Sequence, residues 1–477
     1  MWYRKSAQIR IKLEKAYGSI MIFLSRKNRK GKSHHMLNKN SIKTILNVKH
    51  TCIDKVTMLA DTSIMIEVHA TKGEQCRCGI CGKKSKFYDN GNEGARTWRA
   101  CDWAGHKVIL VGPSCRVNCK EHGVVTCHFP WARHGSRFTR KFEEQTAWMA
   151  VNCSRVAVAA FMRISWNTLG PIIERVEKDF DINPNARFDN LVRIGVDETS
   201  YRKGHKYITT VVNHDTGNVI WVAKGHGKTI FEQFFKLLTP EQRNSIQLVS
   251  GDGAKWIDEC IKEYCPNANR CVDPFHGIEW AMDALDSVRV DAWREAKAAT
   301  KEQPKAKTGR PKKGTPSKDT TATELKNSKM ALGKAPSNLT PNQQAKVEWI
   351  AKTDPRLYRA YKLKEALRLV FYNDTVEDAK EALDAWFKWA RHCRIPAFVE
   401  LQKKINRHKQ SILNTIEYGL TNARIEAINN KIKLSIRMAY GFRNIDNMMA
   451  MIMLRCSDIK VQLPWETDEW SSFFCLG

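Results

Sequence analysis

Asp197 closes the apolar run of "RIGVDETSYRKGHKYITTVV" (residues 193 to 212), and Asp252 closes another in "SGDGAKW". An acid at the end of a strand that reads as buried needs a partner, because an unpaired charge is costly to take out of water. Two such acids on separate strands of one sheet can be brought together, and their repulsion then calls for a cation. Mg²⁺ takes oxygen ligands of this kind. Two ions about 3.5–4 Å apart can activate a water or hydroxyl on one side and steady a leaving oxygen on the other, which suits phosphodiester chemistry. Glu198 adjoins Asp197, but neighbouring strand residues face opposite ways, so it is expected to support the structure rather than the same ion. A third carboxylate is found far downstream in "GLTNARIEAINNKIKLSIRMAYGFRN". Thr421 or Asn422 can cap this predicted helix, and Ile425, Ile428, Ile432 and Ile436 form its apolar face. Glu426, Asn430, Lys433 and Arg437 make a second stripe at helical spacing. That stripe fits a metal at one end and phosphates beyond it, and it equally fits a solvated charged face.

Soft ligands cluster elsewhere. Of the 15 cysteines, Cys52, Cys76, Cys78, Cys81, Cys101, Cys115, Cys119 and Cys127 fall in one early segment that holds "CGIC" (78 to 81) and "CKEH" (119 to 122). Two such knuckles set two thiolates, then a thiolate and an imidazole, around a tetrahedral Zn²⁺. Cys78, Cys81, Cys119 and His122 are the expected ligands, with Cys76 and Cys115 as substitutes and a set of buried free thiols as the alternative. An odd number of cysteines in a chain long enough to bury its own core argues against a disulfide framework. "RTWRACDW" and "HKVILVG", between the knuckles, read as short strands of a zinc ribbon.

The elements that must position these groups follow from the pattern. "SRVAVAAFMRISWNTLGPIIERVEKDF" gives two helices split near Ile164 and Ser165, the shape of a helix-turn-helix or of an ordinary helical hairpin. From residue 193, "KYITTVV", "NHDTGN" and "VIWVAKG" make a β-hairpin. Strands "SIQLVSGDG" and "NRCVD" then alternate with helices "TIFEQFFKLLT", "AKWIDECIKEY" and "HGIEWAMDALDSVRVDAWREA", which predicts an α/β sheet of mixed direction. The 477 residues carry 79 Lys and Arg against 50 Asp and Glu, a formal charge of +29. That excess points to nucleic acid. The longest apolar run near the N-terminus, "SIMIFL", is far short of the ~20 residues a membrane span needs, so the chain reads as soluble, without leader or anchor, and cytoplasmic.

At this point the sequence resembles the bacterial insertion-sequence transposases of the DDE superfamily, in the ISL3 group. The motifs "CGICG", "PWARHGSRFTRKFEE", "RIGVDETSYRKGHKY", "SGDGAKW", "CVDPFHGIEWAMDALD", "LTNARIEAINNKIK" and "AYGFRN" occur in the family's order from about Met36 almost to the end. The resemblance implies an RNase H-like (retroviral integrase-like) catalytic core with Asp197, Asp252 and Glu426 as the triad. It also implies zinc and helix-turn-helix modules that bind terminal inverted repeats. Asp273 and His276 in "DPFH" resemble the Asp-x₂-His motif of related transposases, with helix capping as the other reading. A mostly helical insertion separates Asp252 from Glu426, and its "KEQPKAKTGRPKKGTPSKDTTATE" stretch is too polar to bury itself. Within it, Arg310 and Lys312 of "GRPKKG" resemble a minor-groove AT-hook.

The expected organisation is a basic, disordered or upstream extension over 1–35, a zinc region over 36–135 and a helix-turn-helix over 136–185. The first part of the core follows at 190–295, then a helical insertion at 296–410 with a basic linker near 297–325. The catalytic-Glu helix closes the core at 411–460, before a tail from 461. The implied function is Mg²⁺- or Mn²⁺-dependent cleavage of transposon ends and strand transfer into target DNA. Lys433 and Arg437 are the expected phosphate contacts, the protein homo-oligomeric on the ends and nucleoid-associated. A non-catalytic repressor and a structure-selective nuclease are the competing functions.

Overall fold

The computed structural model describes residues 39–91, 94–301, 320–420 and 423–461. Expectations for residues 1–35, for Arg310, Lys312 and most of their linker, for caps at Thr421 and Asn422, and for the tail beyond 461 lie outside the described residues. Contacts divide the chain into one unit of residues 1–182 with 435–477 and another of residues 183–434.

In chain order the first unit contains α1 (Lys39–Ile45), β1 (Thr51–Met58), β2 (Ile64–Ala70), β3 (Lys86–Asp89), β4 (Ala95–Trp103), β5 (His106–Pro113), β6 (Arg116–Cys119) and β7 (Gly123–Thr126). Then come α2 (Arg140–Asn152), α3 (Arg155–Phe161) and, after a 3₁₀ turn at Trp166–Thr168, α4 (Leu169–Phe180). Two sheets form, β1-β2-β5-β4 and β3-β6-β7. "RTWRACDW" and "HKVILVG" do become strands, β4 and β5, but in the four-stranded sheet rather than with the knuckles. Their alternating apolar residues explain this. Trp98, Ala100, Val108 and Leu110 join Ile66, Val68, Phe129 and Trp131 in a dry core, whereas the four-residue strands β3 and β7 expose most of their side chains.

The predicted helix-turn-helix takes shape from its caps. Ser154 accepts a hydrogen bond from the Ala157 N–H at the start of α3, and Ser165 accepts one from Asn167 after the turn. Arg163 enters the left-handed region at φ +52°, and the helical segments either side of it are bent by 107°, within the range of about 90–120° for such motifs. Leu169, Ile172, Ile173 and Val176 fall on one face of α4 and are fully buried.

The second unit opens with β8 (Arg193–Arg202), β9 (Lys206–Asn213) and β10 (Asn218–Lys224), then α5 (Lys228–Leu237), α6 (Pro240–Ser245), β11 (Leu248–Gly251), α7 (Lys255–Tyr264), β12 (Asn269–Val272) and α8 (Pro274–Lys301). The sheet order is β10-β9-β8-β11-β12. β8 runs antiparallel to β9 and parallel to β11, so the sheet is mixed, as the sequence predicts. Every residue of β11 is buried, as expected of a parallel strand covered on both faces. Phe231, Phe234 and Phe235 of α5 are fully buried in the core that also takes in β8 and β11. A second core is wholly helical. It joins α8 to α9 (Thr320–Lys326), α10 (Lys329–Gly333), α11 (Pro341–Thr353), α12 (Pro355–Val370), α13 (Val376–His392), α14 (Pro396–Arg407) and α15 (Lys409–Glu417). α16 (Ala423–Met438) returns to the sheet. Contacts change unit within α16, at Ser435, and α17 (Ile445–Cys456) packs on α4 in the first unit.

Candidate active site and metal centre

Parallel pairing sets Leu248 opposite Arg193, Val249 opposite Ile194 and Ser250 opposite Gly195. Carried to the end of β11, this register brings Asp252 level with Asp197, one strand away, where neighbouring strands are about 4.8 Å apart. Burial pushes the Asp197 carboxyl above its ordinary range, and the Asp252 charge pushes it the same way. Two neutral groups hold it in place. Asn429 of α16 donates Nδ2 to Asp197 Oδ2 at 2.7 Å, and the Thr199 hydroxyl lies 3.3 Å from the same oxygen and 3.2 Å from Asn429 Oδ1. Among the described residues no lysine or arginine pairs with Asp197, Asp252 or Glu426. Glu426 is exposed in the first turn of α16, three residues before Asn429 and therefore on the same face of the helix. Glu198 turns away, as expected, and accepts the Gly227 N–H at 2.8 Å.

The approach of α16 to β8 depends on a residue without a side chain. A Cβ on Gly195 would stand 2.2 Å from Ile425 Cδ1, 2.7 Å from His214 Nε2 and 2.9 Å from Ser250 Oγ. Ile425, Ile428 and Ile432 are buried and Ile436 is half-buried, while Glu426, Asn430, Lys433 and Arg437 are exposed. Both stripes expected of this helix are present. Arg424 donates Nη1 to the carbonyls of His214 and Asp215, which ties the start of α16 to the end of β9.

Asp252 is fixed by its backbone. Its carbonyl accepts from Nη2 of the buried Arg270, whose Nε donates to Asp258 Oδ1 at 3.1 Å. Its Oδ1 accepts the Ala254 N–H at 2.9 Å, just before α7. Asp273 Oδ1 accepts the Phe275 N–H at 3.0 Å, which is the capping arrangement. His276 lies 3.1 Å from Glu279 Oε2, and a positive charge on its ring would act on Asp197.

The two knuckles meet. Donor atoms of Cys78, Cys81, Cys119 and His122 all lie within 4.8 Å of one another. Cys81 Sγ and Cys119 Sγ are 3.7 Å apart, and His122 Nδ1 is 3.8 Å from Cys78 Sγ and 3.7 Å from Cys119 Sγ. These are close to the edges of a tetrahedron built from Zn–S bonds of about 2.3 Å and Zn–N bonds of about 2.0–2.1 Å. N–H groups of Glu121 and the His122 ring pull the Cys119 thiol down to about 6. Cys76 and Cys115 stand outside this cluster, and Cys115 instead adjoins Cys127, whose N–H donates to its carbonyl at 3.0 Å.

A family model described as transposase, for the ISL3 DDE domain, matches residues 194–452. The chain belongs to the ISL3 family of transposases. Two further models match, the zinc finger of the IS204/IS1001/IS1096/IS1165 transposases at residues 74–122 and the helix-turn-helix domain of transposase family ISL3 at residues 127–176. The transposase for insertion sequence element IS1557 of Mycobacterium tuberculosis is 43% identical over 438 residues, 90% of this chain and 98% of that one. The transposase for IS1001 of Bordetella parapertussis is 23% identical over 341 residues, 71% of this chain and 79% of that one. The solved Drosophila P element transposase strand transfer complex aligns with a TM-score of 0.33 and 10% identity, over 67% of this chain and 93% of that chain.

The ISL3 transposase is thus a DDE enzyme that cleaves DNA and transfers strands, with an N-terminal zinc ribbon and helix-turn-helix and an RNase H-like core. It acts on DNA, its family implies a divalent ion, and its ribbon and thiol cluster support structural zinc. Sequence reasoning missed Asn429, having singled out Asn430 one residue on. The available signal was its spacing of three from Glu426. It also missed Arg270, which stands out as a charge inside the apolar strand "NRCV".

Proposed function

We propose that Asp197, Asp252 and Glu426 together hold the divalent cation of this transposase, that the ion is Mg²⁺, and that Cys78, Cys81, Cys119 and His122 hold Zn²⁺. What carries the catalytic reading is Asp197, a half-buried carboxylate level with Asp252 and supported by neutral donors alone. A bound divalent ion supplies the charge stabilisation that displacement at phosphorus requires. Asn429 and Thr199 fix Oδ2 of Asp197, Arg270 fixes the backbone of Asp252, and Ile425 against Gly195 sets the height of Glu426. In the first displacement water forms a new P–O bond as the old one breaks, which frees a 3′ hydroxyl at the transposon end. In the second, that hydroxyl attacks a target phosphodiester and releases the neighbouring 3′ oxygen. Both are in-line.

The zinc region and helix-turn-helix bind the terminal inverted repeats in this reading, with modules near 36–135 and 136–185. Ser165, Asn167 and Pro171, exposed around the start of the second helix, are its groove-facing residues. Lys433 and Arg437 contact phosphates, and Arg310 and Lys312 add contacts from the linker. His276 stands close enough to act on Asp197 by charge, while Asp273 serves its helix. The protein assembles as a homo-oligomer on paired ends, in the cytoplasm at the nucleoid.

The test uses the full zinc-loaded chain and a duplex carrying one inverted repeat with its flanking bases. Asp197→Asn, Asp252→Asn and Glu426→Gln should each lower Mg²⁺-dependent cleavage and joining by about 10³-fold or more, the scale of losing a main electrostatic catalyst, while repeat binding persists. A folded Asp197→Asn protein that cuts near the wild-type rate would remove the proposed site.

A further inference from the structure

Beside Asp252 lies a cluster that the acid site does not use. A Cβ on Gly253 would stand 2.3 Å from Cζ2 and Cη2 of Trp280 and 3.5 Å from His408 Nε2. The indole of α8 is therefore laid against the backbone next to Asp252, and the missing side chain at 253 lets it come so close. Across the same indole lies Lys404 of α14, its Nζ 3.8 Å from the ring centroid. The His408 ring, just after α14, lies 5.4 Å from the indole. Lys404 feels the charges of Asp283, Asp252 and Glu279, yet it forms no ion pair with any carboxylate among the described residues. Arg407, one turn further along α14, is exposed and adds to the positive field.

A half-buried ammonium without a carboxylate partner, held by a ring beside one acid of the site, lacks the anion it is placed to meet. DNA brings one. We propose that Lys404 contacts a backbone phosphate of the strand being cut, adjacent to the scissile one, with Trp280 as the platform that keeps the lysine stem in place. A lysine suits this task because its compact charge and rotatable donors accept a phosphate without a fixed fork. The helical insertion then has a role in the reaction, since α8 and α14 bring a cation to an acid that the sheet provides. This inference rests on Asp252 belonging to the active site.

The experiment places a single uncharged methylphosphonate linkage, one position at a time, around the cleavage point of a repeat-bearing duplex, and compares wild type with Lys404→Gln. On unmodified DNA, Lys404→Gln should slow cleavage by about 10- to 100-fold, the scale of one charge-assisted hydrogen bond. Lys404→Arg should recover part of the rate, and Trp280→Leu should lose less. At one linkage, neutralisation should slow wild type by a similar factor and leave Lys404→Gln unchanged, because both changes remove the same contact. Lys404→Met, which keeps the stem on the ring, replaces Lys404→Gln if that variant loses its thermal transition. The proposal is overturned if Lys404→Gln cuts at the wild-type rate, or if every neutralised linkage slows it as much as wild type. Asp252→Asn, run alongside, separates the two readings. An active Asp252→Asn would sink the acid site itself, whereas an inactive one beside a fully active Lys404→Gln would sink this proposal alone.

Discussion

Cys78 and Cys81 share one turn and Cys119 and His122 another, so each half of the zinc cluster is set by local backbone before the halves meet. Asp197, Asp252 and Glu426 come instead from a strand, the loop after another strand, and a helix beyond the whole insertion. Their relation exists only once β8, β11 and α16 have packed. In the proposed zinc site the thiols and imidazole would be drawn together by the ion they hold. The carboxylates are held by protein groups, namely Asn429, Arg270 and the gap at Gly195. A site of the first kind depends on its metal for its fold, and one of the second kind depends on its fold for its metal.

Metal removal should unfold the zinc region and leave the acid site's unit standing. Chelation of the full chain under reducing conditions should abolish the melting transition of the zinc region, whose ion contributes about 10 kcal/mol or more of apparent folding free energy in such sites. Repeat binding should fall with it, and the transition of residues 183–434 should stay. Calorimetry with elemental analysis checks this, with about one zinc per chain expected beforehand.

The acid site should fail in the opposite way, through packing. Gly195→Ala adds one methyl group where Ile425, His214 and Ser250 leave no room. It should cost about 1–3 kcal/mol of stability and lower cleavage by about 10²-fold as Glu426 is displaced, with zinc content unchanged. Denaturant melts and cleavage rates measure the two effects.

This contrast also explains what the sequence could disclose. The knuckles were legible because zinc chemistry fixes ligand types and short spacings. The hairpin, the buried strand before Asp252 and both stripes of α16 were legible through periodicity. Asn429 and Thr199 were not, because a hydrogen bond between a strand and a distant helix leaves no period in either. Nor could local pattern assign β4 and β5 to a sheet apart from the ribbon. Trp98 and Leu110 are sorted by the core they share with Trp131, and that depends on residues well outside the two strands.

A pH effect on the same sheet concerns His214, whose ring shares a hydrogen bond with Ser250 Oγ at 2.6 Å under α16. Burial brings its pKa down from 6.5 to about 4. The unfolded chain takes up a proton near 6.5 while the native one does not until about 4. The contribution to stability is therefore complete above the higher value and is lost as pH falls through that window, amounting to about 3 kcal/mol. His214→Gln should flatten this part of the stability profile of residues 183–434, while the zinc-region transition keeps its own pH dependence.

Asp197 is half-buried at a place where a cation would offset its charge, and the thermal stability of zinc-loaded wild type and Asp197→Asn with and without Mg²⁺ tests this most directly. Burial and Asp252 raise the Asp197 pKa, so its ionisation costs the ion-free fold nothing below the ordinary carboxylate range and most at neutral pH. Ion-free Asp197→Asn should be more stable than ion-free wild type at neutral pH by about 0.5–2 kcal/mol, the usual scale of relieving a strained functional site. The gain should vanish in acid, and Mg²⁺ should raise the melting temperature of wild type alone. Equal Mg²⁺ shifts in the two proteins, or an Asn variant no more stable than wild type at neutral pH, would contradict it.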